Sequence, residues 1–141
     1  MQDMEEVIRA GRKLKGWARY SFTAMPHQTP FVVSCQTFVW LLYRAHGGII
    51  PWLLSELLYW GIPVEGFLQA GPGNLVFSRR KRGYVFYDSM RAKNGVGHVG
   101  IFTGTGVLHA SLEAGTVVEE SVEDFLGEPG MFRGIYRVPK R

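Results

Sequence analysis

The sequence predicts an α+β fold, with N-terminal helices packed on a C-terminal antiparallel β-sheet. Two observations carry the prediction. Apolar residues recur at helical spacing only before Gly61, and after Gly71-Pro72-Gly73 the chain turns to short β-like runs separated by turn residues. Helices first and strands later is the order of an α+β domain rather than of alternating β-α units. No repeat or low-complexity linker divides the chain, so residues 1–141 are expected to form a single domain.

Composition supports a folded chain. Of the 141 residues 46% are apolar, 13% aromatic and 20% charged, enough core material to exclude wholesale disorder. The longest apolar runs stop well short of the ~20 residues that cross a bilayer. The first residues, Met1-Gln2-Asp3-Met4-Glu5-Glu6, show neither a basic nor an apolar leader region, so no secretion signal is expected. One cysteine cannot form an intrachain disulfide, and no Cys or His spacing suits a structural zinc, so neither metal nor cofactor is expected. The net charge of +4 favours an anionic partner without choosing among nucleic acid, membrane surface and acidic wall polymer.

Asp3 can cap a first helix whose apolar positions Met4, Val7, Ile8, Leu14 and Trp17 share one side. Prolines 26 and 30 break any period between 20 and 33, which reads as a loop leading to Ser34. Ser34 is a good N-cap for a buried helix over 36–45, closed by Gly47-Gly48. A shorter helix follows with Pro51 in its first turn and Gly61 at its end. Strands are expected at 75–77, 84–87, 98–102, 107–111, 117–120 and 132–138.

Cys35 falls at the start of the second helix, where unpaired backbone N–H groups and the helix dipole stabilise a thiolate. A lone cysteine is also ordinary core filler. The stronger signal is the hairpin pattern from His98 to His109. With Thr103-Gly104 as its two-residue loop, 102 pairs with 105, 100 with 107, and His98 stands opposite His109. Val99, Ile101, Leu108 and Ala110 then form the core side of the hairpin, and the two imidazoles share the other. A thiolate, an imidazole to move its proton and a polar group to orient that imidazole are the parts of a cysteine hydrolase. Cys35, His98 and His109 are the candidates, with the Cys35 backbone N–H as an oxyanion donor.

These residues resemble the NlpC family of cell-wall peptidases. Gly97-His98-Val99-Gly100-Ile101 and Leu108-His109-Ala110-Ser111 are similar to the family's catalytic strands, Tyr20 to its site tyrosine, Gly73-Asn74-Leu75-Val76-Phe77 to the strand that opens its sheet, and Ile135-Tyr136-Arg137-Val138 to its closing strand. The resemblance implies a papain-like fold and a Cys-His-His endopeptidase that hydrolyses an amide bond in peptidoglycan stem peptides. Tyr20, Ser34 and Gln36 would contact the substrate. Where many members carry Asp-Cys-Ser-Gly, this chain has Ser34-Cys35-Gln36-Thr37, without the acid and serine that help hold a stem peptide's free amine.

Two other readings compete. The same three groups serve an amidase, deamidase or acyltransferase acting on another amide or ester. A basic binding module using Arg79-Arg80-Lys81-Arg82 and the cations of 9–15 would leave the Cys and His pattern unexplained, and with no nucleic-acid motif present no nucleic-acid partner is expected.

Overall fold

The computed structural model describes residues 4–48, 50–79 and 95–139. The cap expected at Asp3, the strand expected at 84–87 and most of the basic run after Arg79 lie outside the described residues.

Helix α1 (Met4–Arg12) carries Glu5 and Glu6 in its first turn and Arg9 and Arg12 in its last, the charge order a helix dipole favours. It ends earlier than the expected helix. The Gly16 N–H donates to the Val117 carbonyl at 3.2 Å and Lys15 bridges to Val117, so tertiary pairing outcompetes a further helical turn. Trp17 is consequently 54% exposed and packs on Phe31, ring centroids 5.4 Å apart, instead of joining the core.

The segment expected as a loop holds two short parallel strands, β1 (Arg19–Tyr20) and β2 (Val32–Val33), around a 3-10 turn at Pro26–Gln28. Helix α2 (Cys35–Ala45) follows directly, so it begins at the thiol. Its other end is tied down by Tyr43, whose hydroxyl donates to the Gly73 carbonyl. Burial pushes the Tyr43 phenol above its usual range, so it remains a neutral donor. Helix α3 (Leu54–Trp60) ends at Gly61 as expected, but Pro51 precedes it rather than opening it. The Leu54 N–H donates instead to Gln36 Oε1 at 2.8 Å, a cap supplied by a distant side chain.

Strands β3 (Ile62–Val64), β4 (Leu75–Ser78), β5 (His98–Phe102), β6 (Gly106–Ser111), β7 (Thr116–Ser121) and β8 (Phe132–Arg137) join β1 and β2 in one sheet of order β2-β1-β7-β6-β5-β4-β8-β3. All neighbours are antiparallel except β1 and β2. Helix α4 (Val122–Leu126), which the sequence pattern did not announce, follows β7 and is capped by Ser121, whose Oγ accepts from the Asp124 N–H at 3.1 Å.

Strand alternation gives the sheet two different faces. Val99, Ile101, Leu108, Ala110 and Val117 face the helical layer and pack with Val7, Phe38, Leu42 and Leu57. On the other face Val76, Phe102 and Val107 pack with Phe125 of α4 in a smaller cluster. None of the described helices is long and apolar enough to cross a membrane.

Helix α1 is pinned to β7 by Arg12, whose Nε and Nη2 donate to the two carboxylate oxygens of Glu119, each at 2.9 Å. That hydrogen bond holds Glu119 below the usual carboxylate range. A depressed carboxylate stabilises the fold above its unfolded pKa and loses the contribution as the pH falls. Because Arg12 is half exposed, Arg12→Ala is expected to cost only about 0.5 kcal/mol at neutral pH. In urea melts the difference from wild type should vanish as the pH drops below about 4.

Candidate active site

Cys35 is the first residue of α2, and its position is set by a reciprocal cap. Ser34 Oγ accepts from the Thr37 N–H at 3.2 Å, and Thr37 Oγ1 accepts from the Ser34 N–H at 2.8 Å. The residue after the cap is thereby held in the first turn of the helix, where an N–H has no intrahelical acceptor. Cys35 is buried and packs partly within the core, while its open side lines a cleft of about 270 Å³.

Tyr20, Ser34, Gln36 and Trp52 line the same cleft. Gln36 contributes less polar character than its type suggests, because its Oε1 is occupied by the Leu54 N–H. Ser34 is likewise bonded to Thr37. None of the described residues lining the cleft is charged.

His98 opens β5 and its neighbour Gly97 reaches the same cleft, so the start of this strand meets the mouth in which Cys35 sits. Cys35 comes from the helical side, whereas His98 and His109 project from the other face with Phe102 and Val107. Phe125 roofs both imidazoles, with centroids 5.4 Å from His98 and 4.8 Å from His109, and neither histidine is exposed. Nε2 of His98 lies 2.8 Å from Nδ1 of His109, and the rings stand nearly perpendicular at 84°.

The expected register of this hairpin requires correction. The Thr103 N–H donates to the Gly106 carbonyl at 2.9 Å, so the loop is Gly104-Thr105 and not Thr103-Gly104. Phe102 pairs with Val107 and Ile101 with Leu108. The reason lies in Gly104, whose φ of +103° places it at the first loop position, where a type II′ turn puts its glycine. Moving the loop by one residue shifts the pairing by two and preserves which face each side chain occupies. His98 and His109 are therefore diagonal rather than opposite. Diagonal neighbours on adjacent strands stand roughly 7–8 Å apart, a span that two imidazoles can bridge.

Gly100 occupies the place opposite His109. A Cβ there would lie 2.4 Å from Val107 Cγ1, 3.0 Å from Phe125 Cε1 and 3.1 Å from His109 Cβ. One further polar residue joins the site. Nε2 of His109 lies 2.5 Å from Oε1 of Glu120, whose side chain is 30% exposed. The diagonal rule that links His98 to His109 also links His109 to Glu120, since His109 pairs with Val118 in β7. Had the register been known, the spacing of eleven residues from 98 to 109 and from 109 to 120 would have been the signal.

No protein-family profile and no curated protein sequence matches the chain. Solved structures do. An NlpC/P60 family protein from Bacillus cereus superposes with a TM-score of 0.75 at 21% identity, covering 97% of this chain and 41% of its own. NlpC2 from Trichomonas vaginalis gives 0.75 at 18% identity, covering 99% and 48%. The chain has the papain-like fold of the NlpC/P60 proteins. It spans less than half the length of those two. The NlpC/p60 domain of the peptidoglycan hydrolase SagA is nearer in size, with a TM-score of 0.69 at 20% identity over 96% of this chain and 98% of that one.

Within this NlpC/P60 fold, Gly100 bears directly on the imidazole pair. Gly100→Ala is expected to displace Val107 first and to press on Phe125 and His109, lowering stability by about 1–3 kcal/mol. Histidine NMR resonances of the folded variant should show the His98–His109 contact displaced.

Proposed function

We propose that the chain is a cysteine hydrolase of NlpC/P60 type that cleaves an amide bond in peptidoglycan stem peptides, and that it forms one catalytic domain. The observation that carries this reading is a bonded imidazole pair whose first member follows directly on Gly97, a lining residue of the cleft into which a helix-start thiol opens. The SagA domain, from a peptidoglycan hydrolase, supports it by matching this chain over nearly its whole length.

In this reading Cys35 Sγ is the nucleophile and His98 the base. The Nε2 side of His98 is engaged by His109, which assigns the other nitrogen, Nδ1, to the thiol's proton. The thiolate attacks the carbonyl carbon, and the oxyanion that forms is met by the Cys35 N–H at the start of α2. Nδ1 returns the proton to the departing amine as the C–N bond breaks, and water then hydrolyses the thioester. His109 holds the ring of His98 in place. Tyr20, Ser34 and Gln36 form walls of the substrate cleft.

A second reading keeps the chemistry and changes the substrate to a neutral amide or ester. The lack of charge among the described lining residues favours it, together with the internal bonding of Ser34 and Gln36, because a zwitterionic stem peptide would find no charged side chain there.

Incubation with purified peptidoglycan and defined stem peptides, followed by mass spectrometry, separates the two. Cleaved stem peptides support the first reading. Turnover of neutral acyl esters without any stem-peptide product supports the second, and no Cys35-dependent product from either overturns both. Cys35→Ala and His98→Ala are each expected to lower turnover by at least about 10³-fold with the fold intact by circular dichroism, while His109→Ala retains a measurable fraction. Wild-type rates in either of the first two variants would refute the assigned roles.

A further inference from the structure

Two adjacent carboxylates on β7 have different neighbours. Glu119 turns to the helical side and holds Arg12. Glu120, one residue on, turns to the opposite side and meets Nε2 of His109 at 2.5 Å. Nδ1 of the same ring meets Nε2 of His98 at 2.8 Å, so a carboxylate and two imidazoles form one line across three strands. Both rings are excluded from solvent beneath Phe125, and Nδ1 of His98 is sealed as well.

Donor and acceptor counting along this line leaves little choice. A neutral imidazole offers one N–H and one lone pair, whereas an ionised carboxylate can only accept. His109 must therefore carry its proton on Nε2 to donate to Glu120. Its Nδ1 is then a lone pair, which can only accept from an N–H on Nε2 of His98. Neutral His98 is left with its lone pair on Nδ1. Without the carboxylate, the same two rings could bond equally well with both protons reversed, and His98 Nδ1 would then carry a hydrogen and be unable to take another.

The geometry points to Glu120 as a positioning residue that sets the tautomers of both histidines, making Nδ1 of His98 the basic atom of the site. This rests on the hydrolase reading above, since it is the Cys35 proton that Nδ1 receives. When that proton arrives, His98 becomes an imidazolium and continues to donate from Nε2 to His109. His109 stays neutral, Glu120 stays ionised, and the same proton later leaves from Nδ1 with the amine. No net proton passes along the line. The carboxylate's contribution is orientation and stabilisation of the transient positive charge, the part a triad aspartate plays through one ring, exerted here through two.

Long-range ¹H–¹⁵N NMR of the imidazoles reads which nitrogen bears the proton, with His27 and His46 as internal references. In wild type, His98 and His109 are both expected in the Nε2–H form. Glu120→Gln keeps the size of the side chain but can donate as well as accept, so it should mix the tautomers of both rings. It should also slow iodoacetamide alkylation of Cys35, and its acylation by p-nitrophenyl acetate, by about ten- to a hundred-fold. Glu120→Asp should recover part of the rate and the single tautomer. A wild-type His109 protonated on Nδ1, or unchanged tautomers and thiol rates in Glu120→Gln, would overturn the proposal while leaving Cys35 and His98 in their roles. A wild-type Cys35 that reacts no faster than a free thiol would instead remove the hydrolase reading, and Glu120's part in it, even with the tautomers as stated.

Discussion

The pairing register of β5, β6 and β7 is the constraint on which the rest of the site depends. It is set at one end by Gly104, whose positive φ fixes the hairpin loop, and it decides which side chains lie diagonal to one another. With Phe102 against Val107, the reach from one strand to the next equals the reach of an imidazole. The same alternation sends Leu108 and Ala110 into the main core, so the arrangement of the polar line and the burial of the apolar face are one geometric fact.

The thiol is placed by independent means. The Ser34–Thr37 cap fixes where α2 begins, Tyr43 anchors its far end to the turn before β4, and Gln36 ties its first turn to the start of α3. Each of these bonds satisfies a polar group that would otherwise be buried at a cost of roughly 1–3 kcal/mol. The capped helix thus brings Cys35 to a cleft that the chain also lines at Gly97, directly before β5.

Much of the fold was legible in sequence. The strand at 98–102 coincides with β5, Cys35 opens α2, and the order of helices and strands yields the right class. Alternation in His98–Phe102 and Gly106–Ser111 was strong enough to put both histidines on one face. The register was not legible, because either Thr103-Gly104 or Gly104-Thr105 could serve as the loop and both preserve that alternation. Glu120 is hidden for the same reason: beside Glu119 it reads as a polar edge, and only the diagonal offset singles it out. The five residues of α4 and the two-residue strands β1 and β2 are too short for periodicity to declare. Leu14 and Trp17 fit the apolar spacing of the first helix, but pairing with Val117 ends it sooner.

The back-to-back carboxylates of β7 make register across this region matter as much as residue identity. A slip of one residue in the pairing of β7 with β6 would carry every side chain of the strand to the other surface, exchanging the neighbours of Glu119 and Glu120 and turning Val117 out of the core in the same stroke. Single substitutions disturb these contacts one at a time. A change of register disturbs them all.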